Sequence, residues 1–361
     1  MKRKIKLFDP VVTGKEILYI KDILKSGFWA SGAGIGYVLD FEKKFQKYIG
    51  SKECIAVNSG TAALHLALST MNLENQEVII PSLSFVSTAH AVLYNKAKPI
   101  FVDVDPKTLC LDITEVEKKI TKKTKAILPV HFAGIPANLA HLTKLARDSK
   151  ISLIEDAAHA CGAEFGGKKI GSHGNMVCFS FHPVKNLAMP SGGLVAINQS
   201  NSKEVKKTLA SKRWCGITER KGTFYNIKKI GWNFYMNEFS AAIGLAQLEK
   251  LDSTNAQRQK IAKRYHQEIN LERKMPFDKN SCYHFYWILV KNRDQFRKNM
   301  ADIGIETGTH YTPIHQFSMY RGSDKLPITE SISKSIVSLP THPNLSENDV
   351  DYVIKSINEI V

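Results

Sequence analysis

The sequence predicts an α/β fold: a large domain with a mostly parallel central sheet flanked by helices, joined to a smaller C-terminal α+β domain. Three observations carry this expectation. Between residues 50 and 200, short apolar or β-branched runs alternate with stretches of helical spacing, the order that βα units produce. Several runs are apolar at consecutive positions, as in strands buried between two helix layers. After residue 250 the alternation stops, and helices surround a single aromatic-rich run.

In chain order, strands are expected at CIAVNS (54–59), EVIIPS (77–82), KPIFVDV (98–104), KAILPVH (125–131), ISLIED (151–156), MVCFSF (176–181) and GLVAIN (193–198). Helices are expected between them at AALHLALSTMN (62–72), ITEVEKKIT (113–121) and ANLAHLTKLARDSK (137–150); the last repeats apolar side chains at Leu139, Leu142 and Leu145. A long amphipathic helix is expected around NEFSAAIGLAQLEKLD (237–252). Helical sequence follows from Arg258 to Ile269, then a strand at CYHFYWILV (282–290) and helices at RDQFRKNMADIG (293–304) and SENDVDYVIKSINEI (346–360). The domains are therefore placed at 1–250 and 251–361. No repeat, low-complexity linker or Gly/Ser hinge separates them, so the two lobes are expected to pack tightly.

Composition bounds the function. With 361 residues, 43% hydrophobic and 23% charged, the chain can bury one sizeable core and a smaller second one. No window approaches the ~18 consecutive apolar residues of a membrane span, and the basic start MKRKIKLFDP reaches Asp9 and Pro10 without the apolar stretch of a secretory signal, which points to the cytoplasm. The six cysteines are scattered without a CxxC pair, so no zinc site or disulfide framework is expected, and no metal. A net charge of +16 suits a phosphorylated substrate. The lysines are dispersed and no nucleic-acid module is visible, so nucleic-acid binding is not expected.

Three short segments point to chemistry. NSGTAALHLAL (58–68) sets a Gly-Thr turn between a strand and a helix, where free N–H groups and the positive end of the helix dipole converge. That is a phosphate seat, or an ordinary N-cap by Ser59 or Thr61. ISLIED ends at Asp156, at the carboxyl edge of a strand, where active sites of such sheets gather; a helix cap or a salt bridge would also account for this acid. Lys185 follows twenty-nine residues later in FSFHPVKN, between apolar residues and Gly192-Gly193. Apolar surroundings disfavour its ammonium and leave a nucleophilic amine. Phosphate seat, carboxylate and amine together are what a pyridoxal 5'-phosphate site needs: the acid keeps the pyridine nitrogen protonated, and the lysine binds the aldehyde and shuttles a proton.

At these segments the chain resembles the DegT/DnrJ/EryC1/StrS sugar aminotransferases, a family of fold type I pyridoxal-phosphate enzymes. The resemblance extends from FEKKF (41–45) through PSLSFVSTAHAV (81–92), IEDAAHACGA (154–163), FSFHPVKN (179–186) and GWNFYMNEFSAAIGLAQLEKLD (231–252) to SLPTHPNLSENDV (338–350). It implies that Lys185 binds the aldehyde, that Asp156 partners the ring nitrogen and that His159 stands near the ring's phenolic oxygen. Phe85 matches the aromatic that stacks on the ring. The backbone of Gly60, Thr61 and Ala62 and the hydroxyl of Ser180 match the phosphate contacts, and Asn233 matches a residue reaching the phosphate of the neighbouring subunit in a homodimer. His310, Tyr311 and His315 resemble a loop facing the sugar, and Phe28 and Trp29 a segment near the nucleotide.

The implied activity moves an amino group from an amino acid, glutamate by resemblance, to a nucleotide-linked keto-sugar, for amino-sugar or polysaccharide biosynthesis. A sugar dehydratase or a regulatory protein of the same fold are the alternatives. Dehydratase relatives carry histidine in place of the lysine, and the intact Lys185, Asp156 and phosphate turn speak against both. Two departures stand out: AMPSGG (188–193) where relatives read TGEGG, and Tyr235 where relatives have arginine.

Overall fold

A computed structural model describes residues 4–322 and 324–361; the first three residues of the basic start lie outside them. Seven strands build the central sheet: β1 (Glu53–Val57), β2 (Glu77–Pro81), β3 (Lys98–Val102), β4 (Thr124–Ile127), β5 (Ser152–Asp156), β6 (Met176–Ser180) and β7 (Gly193–Ile197). Their order is β1-β7-β6-β5-β4-β2-β3. The pairs from β6 to β3 are parallel, and β7 runs antiparallel to both β6 and β1. All seven strands lie where the sequence predicts them.

Alternation along the strands divides the core into two layers. Cys54, Ala56, Ile79, Val177 and Phe179 face one layer; Ile55, Val57, Val78, Ile80 and Cys178 face the other. The first layer packs the helix Tyr37–Ile49, whose Phe41 and Phe45 interlock with Phe179 and Phe181 at centroid separations of 5.2–5.4 Å. Burying each such ring stabilises the fold by about 1.5–3 kcal/mol. The second layer packs Gly60–Leu68, Ser87–Tyr94 and Ser202–Arg213.

Strand β1 is an edge of the sheet, and its outer side is closed by a buried ion pair. Glu42 accepts the N–H of Ala56 at 2.8 Å, Arg213 donates to the carbonyl of Ala56 at 2.7 Å, and the two side chains meet at 2.6 Å. An edge that could template aggregation is thereby occupied.

The expected amphipathic helix at 237–252 differs. Two helices, Glu238–Glu249 and Leu251–Glu268, meet at Lys250. The first buries most of its surface, because it lies between Gly14–Ser26 and Tyr37–Ile49. The strand expected at 282–290 shortens to Tyr286–Leu289, paired with Ile336–Leu339. Tyr283 has a left-handed φ of 47°, which breaks the extended run before it. A hairpin of Ile217–Lys221 and Phe224–Ile227 was not expected; its polar residues hide the period-2 signal.

The N-terminal segment crosses to the C-terminal part of the chain. Ile5 pairs with Ile305, and the carbonyl of Lys6 accepts from His342 at 3.0 Å. Among the described residues no helix is long and apolar enough to cross a membrane. All six cysteines are free; Cys215 is exposed and the other five are buried.

Candidate active site

The carboxyl ends of β5 and β6 and the N-terminus of the helix Gly60–Leu68 open into one cavity of about 420 Å³. Gly60, Thr61, Phe85, Asp156, His159, Ser180, Lys185, His310 and Tyr311 all line it. Residues distant in sequence and expected to act together are thus brought together.

The helix terminus is built for an anion. Ser59 caps it, accepting the N–H of Ala62 at 3.1 Å, while among the described residues no protein acceptor meets the N–H groups of Gly60 and Thr61. Ser59 is therefore the cap, and the N–H groups of Gly60 and Thr61 remain as free donors on which an anion could be seated. Gly60 is required by packing. A Cβ there would sit 2.6 Å from the Cβ of Ser180, at the end of β6. Ala62 offers no free donor beside them, since its N–H is engaged by Ser59 and its side chain is buried.

Asp156 ends β5, where its backbone is fixed by Pro129 and His131. Its carboxylate accepts from Thr88 Oγ1 at 2.9 Å and from the N–H of Ala158 at 3.1 Å. Burial pushes its pKa up, and the hydrogen bonds from Ala158 and Thr88 and the charge of Lys185 act against that rise. Lys185 lies in the turn after β6, its N–H donating to the carbonyl of His182. Burial lowers its ammonium from 10.5 to about 8, with Asp156 opposing the shift.

Around Lys185 stand three imidazoles held neutral. His159 and His284 are driven well below the usual histidine range by burial and then by Lys185, and His310 falls to about 3 for the same reasons. His159 meets the Tyr311 hydroxyl at 3.0 Å and stacks on His284 at 4.7 Å, and His284 Nε2 is 3.4 Å from Lys185 Nζ. His284, Thr88 and Ser84 were missed in the sequence. The histidine was hidden inside CYHFYWILV, whose aromatic run reads only as a strand, and Thr88 and Ser84 look like ordinary helix-start residues in SLSFVSTAH.

Phe85 is 56% exposed at the cavity wall, so it is not a core phenylalanine. His315 does not reach the cavity. Ser82 Oγ accepts the backbone N–H of His315 and meets Nδ1 at 2.7 Å, while Nε2 faces Glu330 at 3.3 Å, so this ring ties a loop to β2. Phe28 and Trp29 are also placed elsewhere: Trp29 packs edge-on against Phe239 at 5.9 Å, and its carbonyl accepts from Glu238. Asn233 is exposed and lies outside the cavity lining, its carbonyl accepting from Asn58 at 3.2 Å.

The donor set fits pyridoxal phosphate: two free amides with Ser180 for the phosphate, an exposed aromatic face, an acid at the strand end and an amine depressed towards neutrality. Comparison with known proteins agrees. The DegT/DnrJ/EryC1/StrS aminotransferase family matches residues 10–358. The chain is 34% identical to GDP-perosamine synthase of Escherichia coli O157:H7, covering 98% of both chains. Among solved structures it superposes with a TM-score of 0.93 on Helicobacter pylori PseC, an aminotransferase involved in the biosynthesis of pseudoaminic acid, at 26% identity over 99% of both chains. Streptococcus pneumoniae Spr1654, solved in a PMP-form, gives 0.94 at 27% identity over 99% of this chain and 97% of that one. The chain belongs to the DegT/DnrJ/EryC1/StrS aminotransferase family.

Proposed function

We propose that this protein is a pyridoxal-phosphate-dependent aminotransferase that transfers an amino group from L-glutamate to a nucleotide-linked keto-sugar in the cytoplasm, as a homodimer. The observation that carries the reading is the placement of Lys185, with its lowered pKa, in one cavity with Asp156 and the free amides of Gly60 and Thr61. The cofactor, when bound, supplies an aldehyde and a ring that accepts electrons.

The chain's own residues do the rest. Gly60, Thr61 and Ser180 hold the phosphate, and Phe85 covers the ring face. Asp156 keeps a proton on the ring nitrogen. Lys185 Nζ takes the α-proton of the amino donor and later returns a proton to the sugar carbon, which an amine with a pKa of about 8 does well near neutral pH. Tyr311 and His310 face the sugar, and the neutral imidazoles exclude water without adding charge. Asn233 reaches the phosphate held by the second subunit. The same reading divides the chain into a cofactor-binding lobe, 1–250, and a smaller lobe, 251–361.

The test is a mass-spectrometric screen of nucleotide-linked keto-sugars with L-glutamate. Conversion of one of them to its amino sugar, abolished by Lys185→Ala, is the expected result. A wild-type chain that takes up the cofactor and aminates none of them, or a Lys185→Ala variant of full activity, overturns the reading.

A further inference from the structure

A chain of hydroxyl groups ends on Asp156. Thr88 Oγ1 lies 2.9 Å from Asp156 Oδ2, and Ser84 Oγ lies 2.8 Å from Thr88 Oγ1. Thr88 is fully buried and Ser84 is 3% exposed at the cavity wall. A hydroxyl carries a single proton, and an ionised carboxylate only accepts. Thr88 therefore gives its proton to Oδ2 and can meet Ser84 only as an acceptor, so the chain runs from Ser84 through Thr88 to Asp156.

The other carboxylate oxygen faces the Ala158 N–H at 3.1 Å, a group that can only donate. Protonation at Oδ1 would set a proton against that donor. Protonation at Oδ2 would force the Thr88 proton to turn away from the carboxylate and lose its acceptor.

We propose that Ser84 and Thr88 are positioning residues: a directed hydroxyl relay that keeps the Asp156 carboxylate ionised and aimed at the cavity floor. Its purpose rests on the proposed function, which needs that carboxylate to hold a proton on the cofactor's ring nitrogen; its existence does not. The relay opposes the effect of burial, which favours the neutral acid. The other titratable groups facing Asp156 are Lys185 and His131, which favour the ionised form, and Cys178 and Tyr311, whose own ionisation Asp156 disfavours. Lys185 gives up its charge above about pH 8, whereas the hydroxyl bonds persist.

The test reads Asp156 directly in the full-length, cofactor-free chain, by infrared titration of the protonated-carboxyl band, with Asp156→Asn assigning the band. In Thr88→Val, which keeps the shape and removes the hydroxyl, the midpoint is expected to rise by roughly one pH unit, as loss of a hydrogen bond to a charged group predicts. Thr88→Ser should restore the wild-type midpoint, and Ser84→Ala should move it the same way by less. Pyridoxal phosphate should also bind Thr88→Val about tenfold more weakly, by fluorescence titration, and Thr88→Ser normally. An unchanged midpoint in Thr88→Val, or equal shifts in the valine and serine variants, overturns the relay; if the valine variant does not fold, an unshifted Ser84→Ala does so. Since the titration needs neither cofactor nor turnover, failure of the proposed activity leaves its outcome untouched.

Discussion

At the scale of single residues, Lys185 makes a prediction about pH. Its ammonium is depressed in the fold from 10.5 to about 8, so the unfolded chain holds the proton more tightly. Stability then rises with pH between those values, and the cost of the buried cation is fully present below about 8. The melting temperature of the cofactor-free wild type should therefore gain on that of Lys185→Met as pH is raised from 8 to 10.5; a constant difference would refute the shift. His315 makes a different prediction. Its ring joins Ser82 to Glu330 away from the cavity, so His315→Ala should cost about 1–3 kcal/mol in denaturant unfolding and leave the KM for the sugar unchanged. The sequence placed His315 with its neighbours His310 and Tyr311 because adjacency along the chain says nothing about which way a ring turns. Asp156, Gly60 and Thr61 were legible because each ends a strand or begins a helix, where topology alone aims it at the sheet's carboxyl edge, and Lys185 because it follows such a strand end in the turn after β6. Thr88 and His284 were not, because their importance lies in what they touch.

At the scale of elements, the helix Gly60–Leu68 is seated by the absence of a side chain. A Cβ at Gly60 would sit 2.6 Å from Ser180 Cβ, so either the helix or β6 must give way. Gly60→Ala should retain its circular dichroism spectrum while binding pyridoxal phosphate at least about tenfold more weakly. Gly14→Ala, which meets nothing within 4 Å, should leave affinity unchanged. The strands were readable because continuous apolar runs have few alternatives in a chain of this length. The helix Glu238–Glu249 was read as amphipathic and is buried on most sides, since the helices that cover its remaining faces come from residues 14–49, beyond the reach of a local window. The strand at 282–290 was overdrawn because the left-handed turn at Tyr283 falls on a residue type that rarely adopts it.

At the scale of the whole molecule, the exposed side chain of Asn233, outside the cavity of its own chain, suits a site completed by a second copy. Lys185→Ala and Asn233→Ala should each be severely impaired alone. Co-expressed, the two variants should regain activity, because each mixed dimer then holds one intact site; no recovery would show that Asn233 serves its own chain. The charge excess of +16 is spread over the surface, and activity on a diphosphate-bearing sugar should fall as salt is raised.

The passage of residues 5–8 across to the far part of the chain has a consequence for synthesis. Ile5 pairs with Ile305, Lys6 with His342, and Phe8 stacks on His284 at 5.2 Å. On the ribosome residues 5–8 emerge roughly 275 to 340 residues before the positions they meet, with the whole central sheet made in between. β1 likewise has no partner until β7 has been translated. The nascent chain must therefore carry residues 5–8 unattached until residues 284–342 have been made, so this long-range docking is a late step of assembly.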